Sequence, residues 1–122
     1  MAVSCVAILM IEDEFLVAAE IRFHLERGGF RHVEHAATER TALAAIEARQ
    51  WDAAVLDANL NGSGIPGVVA ALERKNIPFA IVTGYGRKGL PENLGEVPVL
   101  DKPFRPEALM ETVTRLCKDK SA

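Results

Sequence analysis

Val6-Ala7-Ile8-Leu9-Met10-Ile11 is a short, unbroken apolar run that stops abruptly at Glu12-Asp13-Glu14. A run of this length without alternation suits a strand buried on both faces, the signature of a parallel sheet. It is far shorter than the roughly 20 residues that span a bilayer. No basic residue precedes it and no small-residue cleavage site follows, so it does not read as a secretory leader.

The pattern recurs along the chain. Phe15 to Arg27 carries Val17, Ile21 and Leu25 on one helical face, and Gly28-Gly29 stops it. A second strand over Arg31 to Ala36 precedes a helix from Thr38 to Arg49, with Thr38 as N-cap and Ala42, Leu43 and Ile46 as its buried stripe. The third strand, Ala53 to Leu56, ends on Asp57, and Asn61-Gly62-Ser63-Gly64 leads into a helix over Pro66 to Lys75. The fourth strand, Phe79 to Val82, is followed by Gly84, Gly86, Gly89 and a short helix around Pro91 to Leu94. The fifth strand, Val97 to Leu100, precedes a last helix from Pro106 to Cys117 with Leu109, Val113 and Leu116 apolar. Five β-α units at this spacing predict an α/β fold, a parallel sheet covered by helices on both faces.

Size and charge agree with one such unit. The 122 residues are 49% hydrophobic and 25% charged, the balance of a single globular domain over residues 1–122. A net charge of −3 excludes a general nucleic-acid binder, which carries a basic patch. Cys5 and Cys117 stand near opposite ends without Cys-x-x-Cys spacing, so free thiols and a cytoplasmic protein are expected. His24, His32 and His35 form no ligand set by spacing, and Trp51 is expected to pack at the lower rim of the sheet.

The chemistry lies in what closes each strand. Right-handed crossovers put all strand C-termini at one edge, where open α/β sheets bind ligands. Glu12-Asp13, Asp57, Thr83 and Asp101-Lys102 therefore meet in one crevice. Two like charges at 4 Å cost about 1 kcal/mol in water and several-fold more when partly buried. A hard divalent cation relieves that repulsion, and Mg²⁺ takes one or two carboxylates with waters and phosphate oxygens. The ammonium and hydroxyl suit a phosphoryl group. The set reads as metal-assisted phosphoryl transfer onto an Asp nucleophile. Gly62-Ser63-Gly64 is no P-loop, lacking the Lys-Ser/Thr ending.

Nearly the whole chain resembles a response-regulator receiver domain of two-component signalling. The matching pieces are Ile11-Glu12-Asp13-Glu14, Val55-Leu56-Asp57, Ile81-Val82-Thr83-Gly84 and Asp101-Lys102-Pro103-Phe104, in that order. The resemblance implies a flavodoxin-like (βα)5 three-layer sandwich with strand order 2-1-3-4-5. It implies that Asp57 accepts a phosphoryl group from a sensor histidine kinase or histidine phosphotransferase. Mg²⁺ would be held by Asp13, Asp57, the Asn59 backbone carbonyl and, through water, Glu12. Lys102 would pair with the phosphoryl oxygens, Thr83 would report them, and the N–H groups of Asn59 and Gly84 would add donors. Lys102-Pro103 is expected to be cis. The output would be contact with a downstream protein, without direct nucleic-acid binding or membrane insertion. Homodimerisation through the fourth and fifth helix–strand face is common in such domains.

Two departures stand out. Glu12 replaces the Asp often found there, and Val99 occupies the place of the usual switch aromatic, leaving Tyr85 and Phe104 as candidates for that role. The stretch Pro78 to Gly86 is similar to that of the subgroup called FAT GUY receivers, which also lack that aromatic and occur largely in alphaproteobacteria, often as single-domain regulators. The competing reading is a Mg²⁺-dependent phosphatase or phosphotransferase. Against it, Asn59 stands where a second Asp would serve as acid/base, and the chain has no segment for a cap domain.

Overall fold

The structure is a computed structural model that describes residues 7–60, 65–84, 90 and 94–121, with side chains as far as residue 118. Five strands, β1 (Ala7–Ile11), β2 (His32–Ala36), β3 (Ala53–Asp57), β4 (Phe79–Thr83) and β5 (Val99–Asp101), form one sheet in the order β2-β1-β3-β4-β5. All four pairings are parallel. The described helices are α1 (Phe15–Arg27), α2 (Glu39–Ala48), α3 (Pro66–Arg74) and α4 (Pro106–Ser121). This is the expected order and topology.

The central strands β1, β3 and β4 are buried at every residue, which is why their sequences do not alternate. Successive side chains still go to opposite faces. Leu9, Ile11, Leu56 and Ile81 pack with Ala42, Ile46, Val68 and Leu72 of α2 and α3. Ile8, Met10, Val55 and Val82 pack with Ile21, Leu25, Leu109 and Val113 of α1 and α4. Trp51 closes the first of these cores at the lower rim, 1% exposed, and its indole N–H donates to the Ala45 carbonyl at 2.8 Å.

Local chemistry sets the element ends. Thr38 caps α2 reciprocally: its hydroxyl accepts from Thr41 N–H and its own N–H donates to Thr41 Oγ1, each at 3.1 Å. Gly29 leaves α1 at φ 101°, a conformation glycine adopts without penalty. Gly28 lies against α4, where a Cβ would sit 2.1 Å from Met110 Cε and push that flexible side chain aside.

Some boundaries differ from expectation. β5 begins at Val99, because Pro98 has no N–H for the ladder; its carbonyl still accepts from Ile81 N–H at 2.9 Å. α4 runs past Cys117 to Ser121, since helix-forming polar residues continue the backbone after the apolar stripe ends. The Gly62-Ser63-Gly64 loop, Gly86, Gly89 and the expected short helix before Leu94 lie outside the described residues.

The expectation of free thiols does not hold for Cys117, which is disulfide-bonded. Sequence separation was a poor guide, because α4 brings Cys117 into the cluster that holds Ile8 and Met10. Cys5 lies outside the described residues. No helix among the described residues is long and apolar enough to cross a membrane.

Candidate functional site

The three central strands β1, β3 and β4 each deliver a polar side chain to the same edge. β1 leads into Glu12, which is 2% exposed, and then Asp13 and Glu14. Glu12 N–H continues the ladder by donating to the Ala36 carbonyl at 3.0 Å. Its side chain turns back under the loop, where Oε2 accepts from Glu14 N–H at 3.2 Å. β3 ends on Asp57, whose Oδ1 accepts from Asn59 N–H at 3.2 Å. β4 ends on Thr83, also buried, and its carbonyl accepts from Lys102 N–H at 2.8 Å. The cis bond between Lys102 and Pro103 follows, as expected.

These groups converge. Among the described residues, Glu12, Asp13 and Asp57 form a group of carboxylates with an oxygen from each lying within 4.8 Å of the others. Lys102 Nζ stands 3.6 Å from Glu12 Oε1, 3.6 Å from Asp57 Oδ1 and 3.5 Å from Glu14 Oε1. A cavity of about 410 Å³ opens beside them, lined by Asp57, Asn59, Thr83, Gly84, Leu90 and Lys102 among others. Asn59 is therefore next to the carboxylates, where the sequence puts it.

A family model for the response regulator receiver domain matches residues 8–114. The chain belongs to the receiver domain family of two-component signalling. SdrG from Sphingomonas melonis Fr1 is 33% identical over 95% of this chain and 98% of its own, with a TM-score of 0.82. A CheY-like receiver domain protein from Methanospirillum hungatei JF-1 is 26% identical over 97% and 98% of the two chains, with a TM-score of 0.84. The chemotaxis response regulator CheY4 of Vibrio cholerae is 25% identical over 93% and 99%, with a TM-score of 0.79. No curated protein matches the chain in sequence.

The receiver's acidic cluster is electrostatically loaded. Burial, reinforced by the charge of Asp57, pushes Glu12 up to about 7 from 4.5. Burial also raises Asp57, against the pull of the Asn59 N–H and the Lys102 charge. Burial alone would lower the Lys102 ammonium, but Asp57, Glu12 and Glu14 together outweigh it and raise it. One ammonium is thus shared among three carboxylates while a fourth, Asp13, adds to the cluster. Hard oxygen donors at this separation fit a divalent cation.

The other predicted positions fall differently. Val99 is half-buried against the α2–α3 core, and Phe104 is half-buried against the α1–α4 core. Val99 and Phe104 therefore pack on opposite faces of the sheet. Tyr85 and the Arg87-Lys88 pair lie outside the described residues. His24 packs edge-on against Phe23, and His32 contacts Glu34 and Arg49 at the opposite rim. Two contributors escaped sequence reading. Glu14 reaches Lys102, and His35 places Nε2 2.6 Å from the Glu12 carbonyl. The parallel register, which sets His35 beside Met10, is the signal that would have found the second.

Proposed function

We propose that Asp57 is the phosphoacceptor of this receiver, taking a phosphoryl group from a phosphohistidine of a sensor histidine kinase or histidine phosphotransferase. The observation that carries this reading is the position of Asp57: buried at the strand end, 3.6 Å from the Lys102 ammonium, and facing the cavity that Thr83 and Asn59 also line.

In the reaction an Asp57 carboxylate oxygen attacks phosphorus. The P–N bond of the donor breaks, and its electron pair leaves with the imidazole. The product is an acyl phosphate whose oxygens face Lys102, the Thr83 hydroxyl and the N–H groups of Asn59 and Gly84. Lys102 offsets the charge that builds on those oxygens. Glu12, Asp13, Asp57 and the Asn59 carbonyl would hold Mg²⁺. That ion would supply positive charge to both the acidic cluster and the transferring group.

Signal output follows from one backbone bond. Lys102 N–H to the Thr83 carbonyl joins the ends of β5 and β4. A phosphoryl group that draws in either side chain strains the same junction, and small shifts there bias a two-state surface. A downstream protein reads that surface. With Val99 in the usual aromatic position, Tyr85 or Phe104 takes the aromatic role. Tyr85→Ala is expected to weaken phosphorylation-dependent partner binding; unchanged binding excludes Tyr85. The Pro78-Phe79 and Thr83-Gly84-Tyr85 pieces support a place near the FAT GUY receivers, and a cytoplasmic setting fits a kinase partner.

Acetyl phosphate with Mg²⁺ provides the test. Wild type is expected to form an alkali-labile acyl phosphate, and Asp57→Asn none. A stable label on Asp57→Asn would move the acceptor elsewhere, and steady turnover of a small phosphoester would favour a phosphatase. Beryllofluoride gives a second route, since SdrG has a BeF3-activated conformation. Mg²⁺-dependent binding of beryllofluoride is expected here and should vanish in Asp57→Asn.

A further inference from the structure

The β1–β2 ladder runs in register from Ala7↔His32 to Ile11↔Ala36 and then loses a donor. Glu12 N–H still donates to the Ala36 carbonyl. In a parallel ladder the Glu12 carbonyl would next accept from the N–H two residues after Ala36, which is Thr38. That N–H is already committed, because it donates to Thr41 Oγ1 in the capping box of α2. The Glu12 carbonyl would therefore end the strand without its ladder partner, beside the acidic cluster.

His35 fills the gap. Its Nε2 lies 2.6 Å from the Glu12 carbonyl oxygen, and since a carbonyl only accepts, Nε2 carries the proton. The ring is steadied by Phe15, which meets it edge-on at 5.6 Å and 84°. β2 itself is tied to α1 by Arg22, whose guanidinium donates to the Val33 carbonyl at 2.9 Å. The peptide between Glu12 and Asp13 is thus gripped through its carbonyl by a side chain, and through the preceding N–H by the sheet. Both carboxylates that flank this peptide belong to the cluster that fits a cation.

We infer that His35 is a positioning residue for the cation-binding carboxylates, a side-chain substitute for the ladder donor that the α2 cap withdraws. The inference rests on the proposed Mg²⁺ site. Without the clamp the Glu12–Asp13 peptide loses its carbonyl anchor, and the common aim of the two carboxylates loosens. Partners one shell out from a metal are worth about 10- to 100-fold in metal affinity.

The test is a Mg²⁺ titration of the full chain by NMR, read at the amides of the β1–α1 loop, with thermal unfolding in chelator alongside. His35→Phe keeps a ring against Phe15 but has no donor. It should raise the Mg²⁺ dissociation constant about tenfold while lowering the metal-free unfolding midpoint by only a few degrees, the worth of one lost hydrogen bond. His35→Gln returns an N–H at similar reach and should recover most of the affinity. His35→Ala, which cannot clash, should match His35→Phe. Wild-type affinity in both donor-free variants, or no recovery in His35→Gln, overturns the assignment while leaving the proposed function intact. A large fall in metal-free stability in both donor-free variants would make His35 a structural residue and also overturns it. No Mg²⁺ binding by wild type removes the proposed metal site and this inference together.

Discussion

The two ends of β3 carry the same residue type and use it in opposite ways. At the entry, Asp52 Oδ2 accepts from Ala7 N–H at 2.9 Å, while Asp52 N–H donates to the Ala7 carbonyl at 2.8 Å. Beside it Trp51 is buried with its indole N–H bonded, and the Arg49 guanidinium lies 5.2 Å over its ring. At the exit, five residues on, Asp57 is buried among carboxylates, with the Lys102 ammonium 3.6 Å away. The lower rim spends its polar groups on matched bonds that hold the sheet together. The upper rim, among the described residues, gathers several carboxylates around the Lys102 ammonium, an arrangement that suits a ligand. Such a division is what a binding edge on a stable scaffold requires.

The largest effect expected belongs to Asp57→Asn. It should abolish acyl-phosphate formation and, in chelator, raise the unfolding midpoint by a few degrees, because a repelling charge leaves the buried cluster. A lower midpoint would break the contrast by showing that Asp57 supports the fold. Trp51→Ala comes next. It should cost about 3–5 kcal/mol in urea unfolding. Mg²⁺ affinity in the folded fraction should stay at the wild-type value, since distant sites add independently. A parallel loss of Mg²⁺ affinity would mean that the two rims are coupled.

A third effect depends on pH. Glu12 is pushed up to about 7 in the folded protein from 4.5. Between those values the folded state binds more protons than the unfolded state, so unfolding free energy falls as pH rises through that window. The contribution is fully present below 4.5 and gone above about 7. Glu12→Gln should flatten this slope in chelator, measured as midpoint against pH. Because Mg²⁺ binding must displace the Glu12 proton, its affinity should climb across the same window and level off above it. A pH-independent Mg²⁺ affinity would place Glu12 outside the metal site.

Much of this was legible because both-sided burial writes continuous apolar runs into the sequence. Each run in the central sheet stops at a polar residue, and parallel topology then forces Glu12, Asp57, Thr83 and Lys102 to one edge. The apolar pattern starts β5 too early, at Val97, although Pro98, a residue without N–H, cannot continue a ladder. What escaped depends on partners that only the third dimension supplies. Nothing in the local pattern around His35 says that Thr38 is engaged by Thr41 and that a carbonyl therefore needs another donor. Glu14 reads as a helix-entry charge, yet it reaches Lys102 at 3.5 Å. Cys117 reads as the end of an apolar stripe, and its bonding depends on what α4 meets.

The smallest effect tests whether the lower rim stabilises through hydrogen bonding or only through Trp51. Asp52→Ala removes the acceptor of Ala7 N–H and should cost about 1 kcal/mol, the usual net worth of one such bond. Asp52→Asn keeps an acceptor oxygen at the same reach and should recover most of that loss. Neither change should alter phosphorylation by acetyl phosphate, because the site lies at the other end of the strand. If Asp52→Ala cost nothing, the matched bonds of this rim would be ornamental and Trp51 burial alone would hold it. The opposite behaviour of the two aspartates would then reflect different burial rather than different bonding. If Asp52→Asn lost as much as Asp52→Ala, the charge itself would matter at both ends of β3. That charge would be favourable beside the Ala7 N–H and unfavourable beside Glu12.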